Sequence, residues 1–180
     1  MTTGNKVFTN VITHRLIEQA TPLDKEVEVY DKSILLSESD KNGVITYTNR
    51  RYLKLTGFSE EELIGAPHKL LRHPDMPQGV YKAMSKIVND KKIWRGYVKH
   101  LCKDGSYFWT LTYLQAKLDA EGNIIGFIST GKMAYDESRR EVEEKYKELM
   151  GEEHIDDPFF MKSESYKEFL SEYTPTPDHS

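Results

Sequence analysis

The sequence contains a single cysteine, Cys102, so it has no internal disulfide and is not a small cystine-stapled secreted scaffold; a reducing, cytoplasmic location is expected. It also lacks a surplus of positive charge. Against 25 Lys and Arg stand 29 Asp and Glu, for a formal net charge of -4, and the bases are scattered among acids rather than gathered in a stripe. Nucleic-acid binding depends on such a stripe and is not expected. No apolar run approaches the roughly 20 residues of a membrane span, and residues 1–10 show no charged-then-apolar leader, so direct membrane insertion is not expected either. A nucleophile–base constellation and a glycine-rich phosphate loop are missing too, which argues against an enzyme.

What is present is a hydrophobic fraction of 38% and an aromatic fraction of 11%, enough for one real core in 180 residues. Residues 1–32 read as an arm outside that core. In it Val7, Phe8, Val11, Ile12, Leu16 and Ile17 fall near helical spacing, predicting a short amphipathic helix that caps its own domain or, in a second reading, makes a dimer contact. Residues 33–37 and 44–48 read as strands separated by Asp40-Lys41-Asn42-Gly43, a strong hairpin signal. A helical turn over residues 49–55 ends at Gly57, and Ser59 with Glu62 forms a capping box for the next short helix.

From residue 78 to 89, Val80, Tyr81, Met84, Ile87 and Val88 recur at three- and four-residue intervals, predicting a helix laid on something flat. The flat object is a meander of β-rich runs at 93–101, 107–118 and 124–133, joined by tight Asp-Gly and Glu-Gly turns. The expected fold is therefore α+β over residues 33–133. It has a five-stranded antiparallel sheet, short helices packed on one face, and N- and C-terminal helices. Period-two alternation puts Trp94, Gly96, Val98 and His100 on one face with Phe108, Thr110, Thr112 and Leu114, and with Phe127, Ser129 and Gly131. Aromatics, small residues and a few hydrogen-bonding groups make a face that suits a flat apolar ligand with a polar edge.

Between the short helices and the long one lies Leu70-Leu71-Arg72-His73-Pro74-Asp75-Met76-Pro77. Its two prolines forbid a continuous helix. In one reading Asp75 is simply the N-cap of the following helix, with Pro77 in its first turn. In the other, Arg72 and His73 form a cationic pair at the rim of an apolar pocket, facing an anionic ligand.

Taken together, the hairpin Asp40-Lys41-Asn42-Gly43-Val44-Ile45-Thr46-Tyr47-Thr48-Asn49, the run from Thr56-Gly57-Phe58-Ser59 to Leu63-Ile64-Gly65, Arg72-His73-Pro74-Asp75-Met76-Pro77, Trp94-Arg95-Gly96, and Lys103-Asp104-Gly105-Ser106-Tyr107-Phe108-Trp109 resemble the PAS sensory domain in order and spacing. The Arg-His-Pro-Asp-Met-Pro signature is similar to that of its aerotaxis-receptor subgroup. The resemblance implies a redox or oxygen sensor with non-covalently bound FAD that signals to a partner, usually a membrane-bound chemotaxis transducer of the methyl-accepting type. It implies that Asn49, Arg72, His73, Asp75 and Trp94 lie on or near the flavin pocket, and similarity to flavin-binding PAS domains in general adds His100 and Thr110. Ser85, Tyr113 and Ser129-Thr130-Gly131 depart from the subgroup's usual residues.

Rival ligands follow from the histidines. His68, His73 or His100 could supply an axial imidazole to haem, whereas His68, His73 and Asp75 have metal-ligand chemistry but neither an established spacing nor a fourth ligand. Cys102, at a strand end beside a turn, reads as an ordinary buried cysteine rather than a photochemical one. A cofactor-free PAS interaction module is the third reading. With no kinase, cyclase or methyl-accepting region in these residues, output in trans is expected. Residues 134–151 read as a signalling helix starting at Asp136, with Val142, Tyr146 and Leu149 on a narrow seam for a partner or a homodimer, or for its own sheet; partner or dimer contact is the favoured expectation. Residues 152–180 read as an aromatic and acidic tail, partly disordered.

Overall fold

The computed structural model describes residues 4–30, 32–153 and 155. Its centre is a five-stranded antiparallel sheet of β3 (Leu35–Asp40), β4 (Ile45–Thr48), β5 (Trp94–Leu101), β6 (Tyr107–Leu118) and β7 (Ile124–Met133), in the order β4-β3-β7-β6-β5. The meander β5-β6-β7 and the hairpin β3-β4 arise from local turns. In the first turn, Asp40 Oδ1 accepts from the Asn42 and Val44 amides at 2.8 and 3.0 Å, and Gly43 takes the left-handed φ of 82° that this geometry requires. The sheet is then closed by β3 pairing with β7, where Leu35 faces Gly131 and Ser39 faces Phe127.

Between β4 and β5 the chain forms α1 (Arg50–Thr56), α2 (Glu60–Leu63), a 3₁₀ turn at His68–Leu71 and α3 (Gln78–Asn89). Asn49 caps α1 by accepting from the Tyr52 amide, and Gly57 ends it in the left-handed region. The Ser59–Glu62 capping box opens α2 as expected. These helices lie over one face of the sheet. The opposite face carries Tyr97, Trp109, Leu111 and Tyr113, and α4 (Asp136–Leu149) folds back to cover part of it. Tyr146 of α4 is buried, stacks on Trp109 with ring centroids 6.3 Å apart, and donates its hydroxyl proton to the Tyr97 carbonyl at 2.7 Å.

Four expectations need correction. The arm is not a helix: β1 (Val7–Thr9) and β2 (Leu16–Glu18) pair as a hairpin with Phe8 and Ile17 packed inward. The segment is rich in Val, Ile and Thr, which favour extended backbone, and Asn10 supplies a turn that a helix would not need. Asp75 does not cap α3, whose N-cap is Pro77 without any side-chain bond. Nor does Asp136 cap α4; it lies in the first turn after Tyr135. Finally, Val142 and Tyr146 are buried on the chain's own sheet, so this seam is occupied without a partner. The expected aromatic patch from Pro158 to Tyr173 and the disorder of residues 174–180 fall outside the described residues.

The arm is held by two amides. Asn10 is fully buried; its Nδ2 donates to the Glu61, Glu62 and Ile64 carbonyls at 2.8–3.3 Å, while its Oδ1 accepts from the Ile12 and Thr13 amides. It therefore satisfies the carbonyl end of α2 from outside the helix. Gln19 Nε2 donates to the Lys69, Leu70 and Arg72 carbonyls at 3.0–3.3 Å, bracing the 3₁₀ turn. Replacing Asn10 by Ala strands buried carbonyls, and unmade buried bonds cost roughly 1–3 kcal/mol each when a partner is removed. The expected loss is about 2–3 kcal/mol in urea unfolding, with Asn10→Asp only partly rescuing because it keeps the acceptor and loses the donor.

Candidate functional site

Between the sheet's inner face and the helices lies a cavity of about 300 Å³, at the lower end of the range for small-molecule sites. The β5–β6 and β6–β7 registers set Val98 against Thr110, Thr112 against Gly131 and Leu114 against Ser129, so the face expected from alternation is one continuous surface. Val98, His100, Thr112, Leu114, Phe127 and Ser129 line the cavity from the sheet, and Tyr52, Leu71, Tyr81, Met84 and Val88 from the helices. Most of the wall is apolar. Polar groups gather at its ends.

At one end His100 Nε2 lies 2.8 Å from Thr110 Oγ1, which lies 2.7 Å from Thr112 Oγ1, a chain of hydrogen bonds running across β5 and β6. His100 is stacked on Phe108 at 4.7 Å. Gly131 leaves room for this chain; a Cβ there would meet Thr110 Cβ at 3.2 Å. His68 also lines the cavity, with Nε2 3.5 Å from Ser37 Oγ. Burial lowers the pKa of His68 to about 4, helped by the Arg72 charge, and that of His100 to about 3. Both imidazoles are therefore neutral near pH 7 and offer one donor and one acceptor each.

Two cations, Lys41 and Arg72, belong to the cavity wall, and Arg72 is the one set against its aromatic side. Its guanidinium carbon sits 3.9 Å from the centroid of the Tyr81 ring, and among the described residues no carboxylate pairs with it. Burial lowers its pKa, because the charged form lacks full hydration. Tyr81 adds a buried hydroxyl without a hydrogen-bond partner among the described residues. A half-buried cation with no counterion among the described residues, beside neutral donors and apolar walls, suits a flat ring ligand bearing negative charge.

Of the residues expected at the site, Arg72 and His100 line the cavity and Thr110 stands directly behind His100. Trp94 is buried on the same face of β5, opposite Leu114, but outside the lining. Asn49 is occupied in capping α1 and donates to the Ile34 carbonyl at 2.8 Å. His73 and Asp75 lie together elsewhere: His73 Nδ1 accepts from the Asp75 amide at 3.1 Å, and the Asp75 carboxylate takes a bond from Lys99 Nζ at 2.9 Å. Burial, then the Lys99 charge, lowers the His73 pKa to about 4. Cys102 donates to the Leu55 carbonyl at 3.4 Å, with burial pushing its thiol up to about 11, and it is not among the lining residues. Sequence reading missed Tyr52 and Ser39. No local pattern distinguishes an α1 residue that faces the cavity from one that faces the core, and Ser39 is identified only by the pairing of β3 with β7.

A sheet of this order, helices over one face and a cavity between them define a PAS domain, and residues 45–131 match the family model described as the PAS fold. The chain carries this domain. Its relatives can be named individually. Over 132 residues it is 33% identical to the Aerotaxis receptor of Escherichia coli (strain K12), a match covering 73% of this chain and 25% of the relative. Over 101 residues it is 24% identical to the Nitrogen fixation regulatory protein of Klebsiella pneumoniae, covering 56% of this chain and 20% of the relative. The chain thus spans a quarter or less of these proteins. Among solved structures, the dark state of the blue-light photoreceptor Aureochrome1 LOV shares the fold with a TM-score of 0.56, at 20% identity over 63% of this chain and 86% of that one. A light-oxygen-voltage domain studied with a flavin analogue gives 0.54, at 21% identity over 64% and 86%.

The three depressed imidazoles give the domain an acid-labile interior. The unfolded chain takes up protons near pH 6.5, whereas the folded chain resists until about 4 or below. The unfolded state therefore binds more protons in that window, and stability falls as pH drops through it, on the order of 1 kcal/mol per pH unit for each imidazole. Urea titrations at pH 7 and pH 5 are expected to show the loss. His100→Asn is expected to make the loss smaller while His68 and His73 keep the remainder, and an unchanged slope would assign the loss to other groups.

Proposed function

We propose that the chain is a sensory domain that holds FAD non-covalently in the cavity and reports redox or oxygen state in trans to a chemotaxis-type transducer. The observation that carries this reading is the mainly apolar cavity of about 300 Å³ bounded by Arg72, which has no carboxylate partner among the described residues, and by the His100–Thr110–Thr112 chain. The resemblance to an aerotaxis receptor supports the signal class, and the flavin analogue used with a structural neighbour supports the ligand class. When bound, a flavin supplies an electron-accepting ring whose hydrogen-bonding edge changes with its redox state.

The chain's own residues would do the rest. Tyr52, Val98, Leu114 and Phe127 would form the slot that excludes water, His100 and Ser129 would meet the polar edge, and Arg72 would offset negative charge. Thr110, donating to or accepting from His100, would fix which ring nitrogen carries the proton. The partner is a membrane-bound transducer of the methyl-accepting type, with this chain on its cytoplasmic side. No helix among the described residues is long and apolar enough to cross a membrane, so membrane association would run through that partner.

The visible spectrum of freshly purified protein, before and after reduction, is the direct test. Flavin bands that bleach on reduction are expected. A sharp Soret band would instead assign the cavity to haem, with His68 as the cavity histidine not already bonded to Thr110. A colourless protein that also refuses added FAD and haem would leave an interaction module. Arg72→Ala is expected to weaken FAD binding tenfold or more, the consequence of losing a bond to a charged group worth roughly 1.5–3 kcal/mol.

A further inference from the structure

The cavity and α4 lie on opposite faces of the sheet, and one segment touches both. Residues 72–77 wrap around β5, which is an edge strand. On entry, Arg72 makes an antiparallel bridge to His100 and turns its side chain to Tyr81 and the cavity. Three residues on, Asp75 has reached the other face, where it bonds Lys99 Nζ at 2.9 Å. Met76 follows, with Sδ 3.3 Å from the Lys99 amide. Pro74 and Pro77 fix the backbone on both sides of Asp75, so the segment moves as a stiff unit.

Lys99 is unusual in its setting. It is only 6% exposed, in a row of aromatic residues, while its carboxylate partner is 66% exposed. A buried ammonium requires a counterion, and among the described residues its only ion-pair partner is Asp75. Its Nζ also lies 4.2 Å from the Tyr107 ring centroid and 5.8 Å from that of Trp109. Trp109 is the ring on which Tyr146 of α4 stacks, and the Tyr146 hydroxyl bonds the carbonyl of Tyr97, two residues before Lys99 on the same face. From α4, Lys147 acts electrostatically on Asp75 as well.

We infer that the Lys99–Asp75 ion pair is a clasp around the edge of β5 that couples occupancy of the cavity to the seating of α4, with Lys99 as its positioning residue. The inference rests on the cavity binding a ligand as proposed above. A ligand that draws on Arg72 shifts the 72–77 segment, the shift carries Asp75, and Lys99 passes it to Trp109 and Tyr146. Because coupling between two sites is reciprocal, seating of α4 must change ligand affinity by the same factor as the ligand changes seating of α4.

The test is a double-variant cycle on the full chain, read as the dissociation constant for FAD by visible absorbance. The proteins are wild type, Lys99→Met, Tyr146→Ala and the pair combined. Met keeps the unbranched shape of Lys, one atom shorter and without its charge, and leaves Asp75 in solvent. In the wild-type background Tyr146→Ala is expected to change FAD affinity by at least about fivefold, and in the Lys99→Met background by less than about twofold. Lys99→Arg, which retains the charge, is expected to restore the larger effect. A purely structural Lys99 would lower Tm and leave this cycle additive. Should Tyr146→Ala fail to fold, Val142→Ala replaces it as the milder loosening of α4. Additive effects in a protein that binds FAD overturn the clasp alone. Absence of FAD binding by the wild type overturns the flavin reading and the coupling that rests on it.

Discussion

An edge strand carries unpaired backbone groups along one side and must be covered or blunted. Of the sheet's two edges, β4 and β5, the second is covered by the proline-bounded segment that begins at Arg72. Much of the site follows from that one constraint. To cover the edge the chain must cross from one face of the sheet to the other within a few residues. Arg72 is therefore left on the cavity side, and His73, Asp75 and Met76 on the far side. The motif looks like a single cluster of polar groups in the sequence, yet the sheet divides it. Gln19 braces the same crossing from the arm by holding the Arg72 carbonyl.

This division explains which parts of the site could be read from sequence. The sheet's inner face was legible because strand alternation has a period of two and the tight Asp-Gly turn leaves one register between β5 and β6. Thus Val98, His100, Thr112, Leu114 and Ser129 emerged together on the correct side. Alternation could not assign Arg72, His73 and Asp75 to faces, because a proline-bounded loop has no period. Asp75 looked like a helix cap for the same reason: the pattern of an acid shortly before a helix fits both a cap and an ion-pair partner, and only the position of Lys99 decides. The signal for Lys99 was present but unread. A lysine between Tyr97 and Leu101, on the face that also carries Trp109, requires an acid from outside the strand.

The arm shows the opposite limit. Its apolar residues can be fitted to a helical wheel, yet β-branched side chains and one buried amide favour a hairpin. What fixes it is tertiary: Asn10 reaches carbonyls more than fifty positions away, a relation no local pattern encodes. The same holds for α4, whose stripe reads slightly better as a seam for another helix than as one for the sheet. The aromatic surface formed by Tyr97, Trp109 and Tyr113 is the larger and flatter partner, and the helix settles there.

The order of the strands also bears on how the molecule assembles. The β5-β6-β7 meander needs only short turns and forms from local contacts, whereas β3 must find β7 across nearly the whole intervening chain, from Leu35 to Gly131. Closing so long a loop is entropically slow, so nonlocal pairing of this kind delays folding. The cavity draws Ser39 from β3 and Phe127 and Ser129 from β7, so it is complete only once that seam has closed. A small molecule that prefers the finished cavity would by mass action shift newly made chains toward the closed sheet. Cellular supply of the ligand would then govern how much of the protein accumulates, independently of any signal it goes on to transmit.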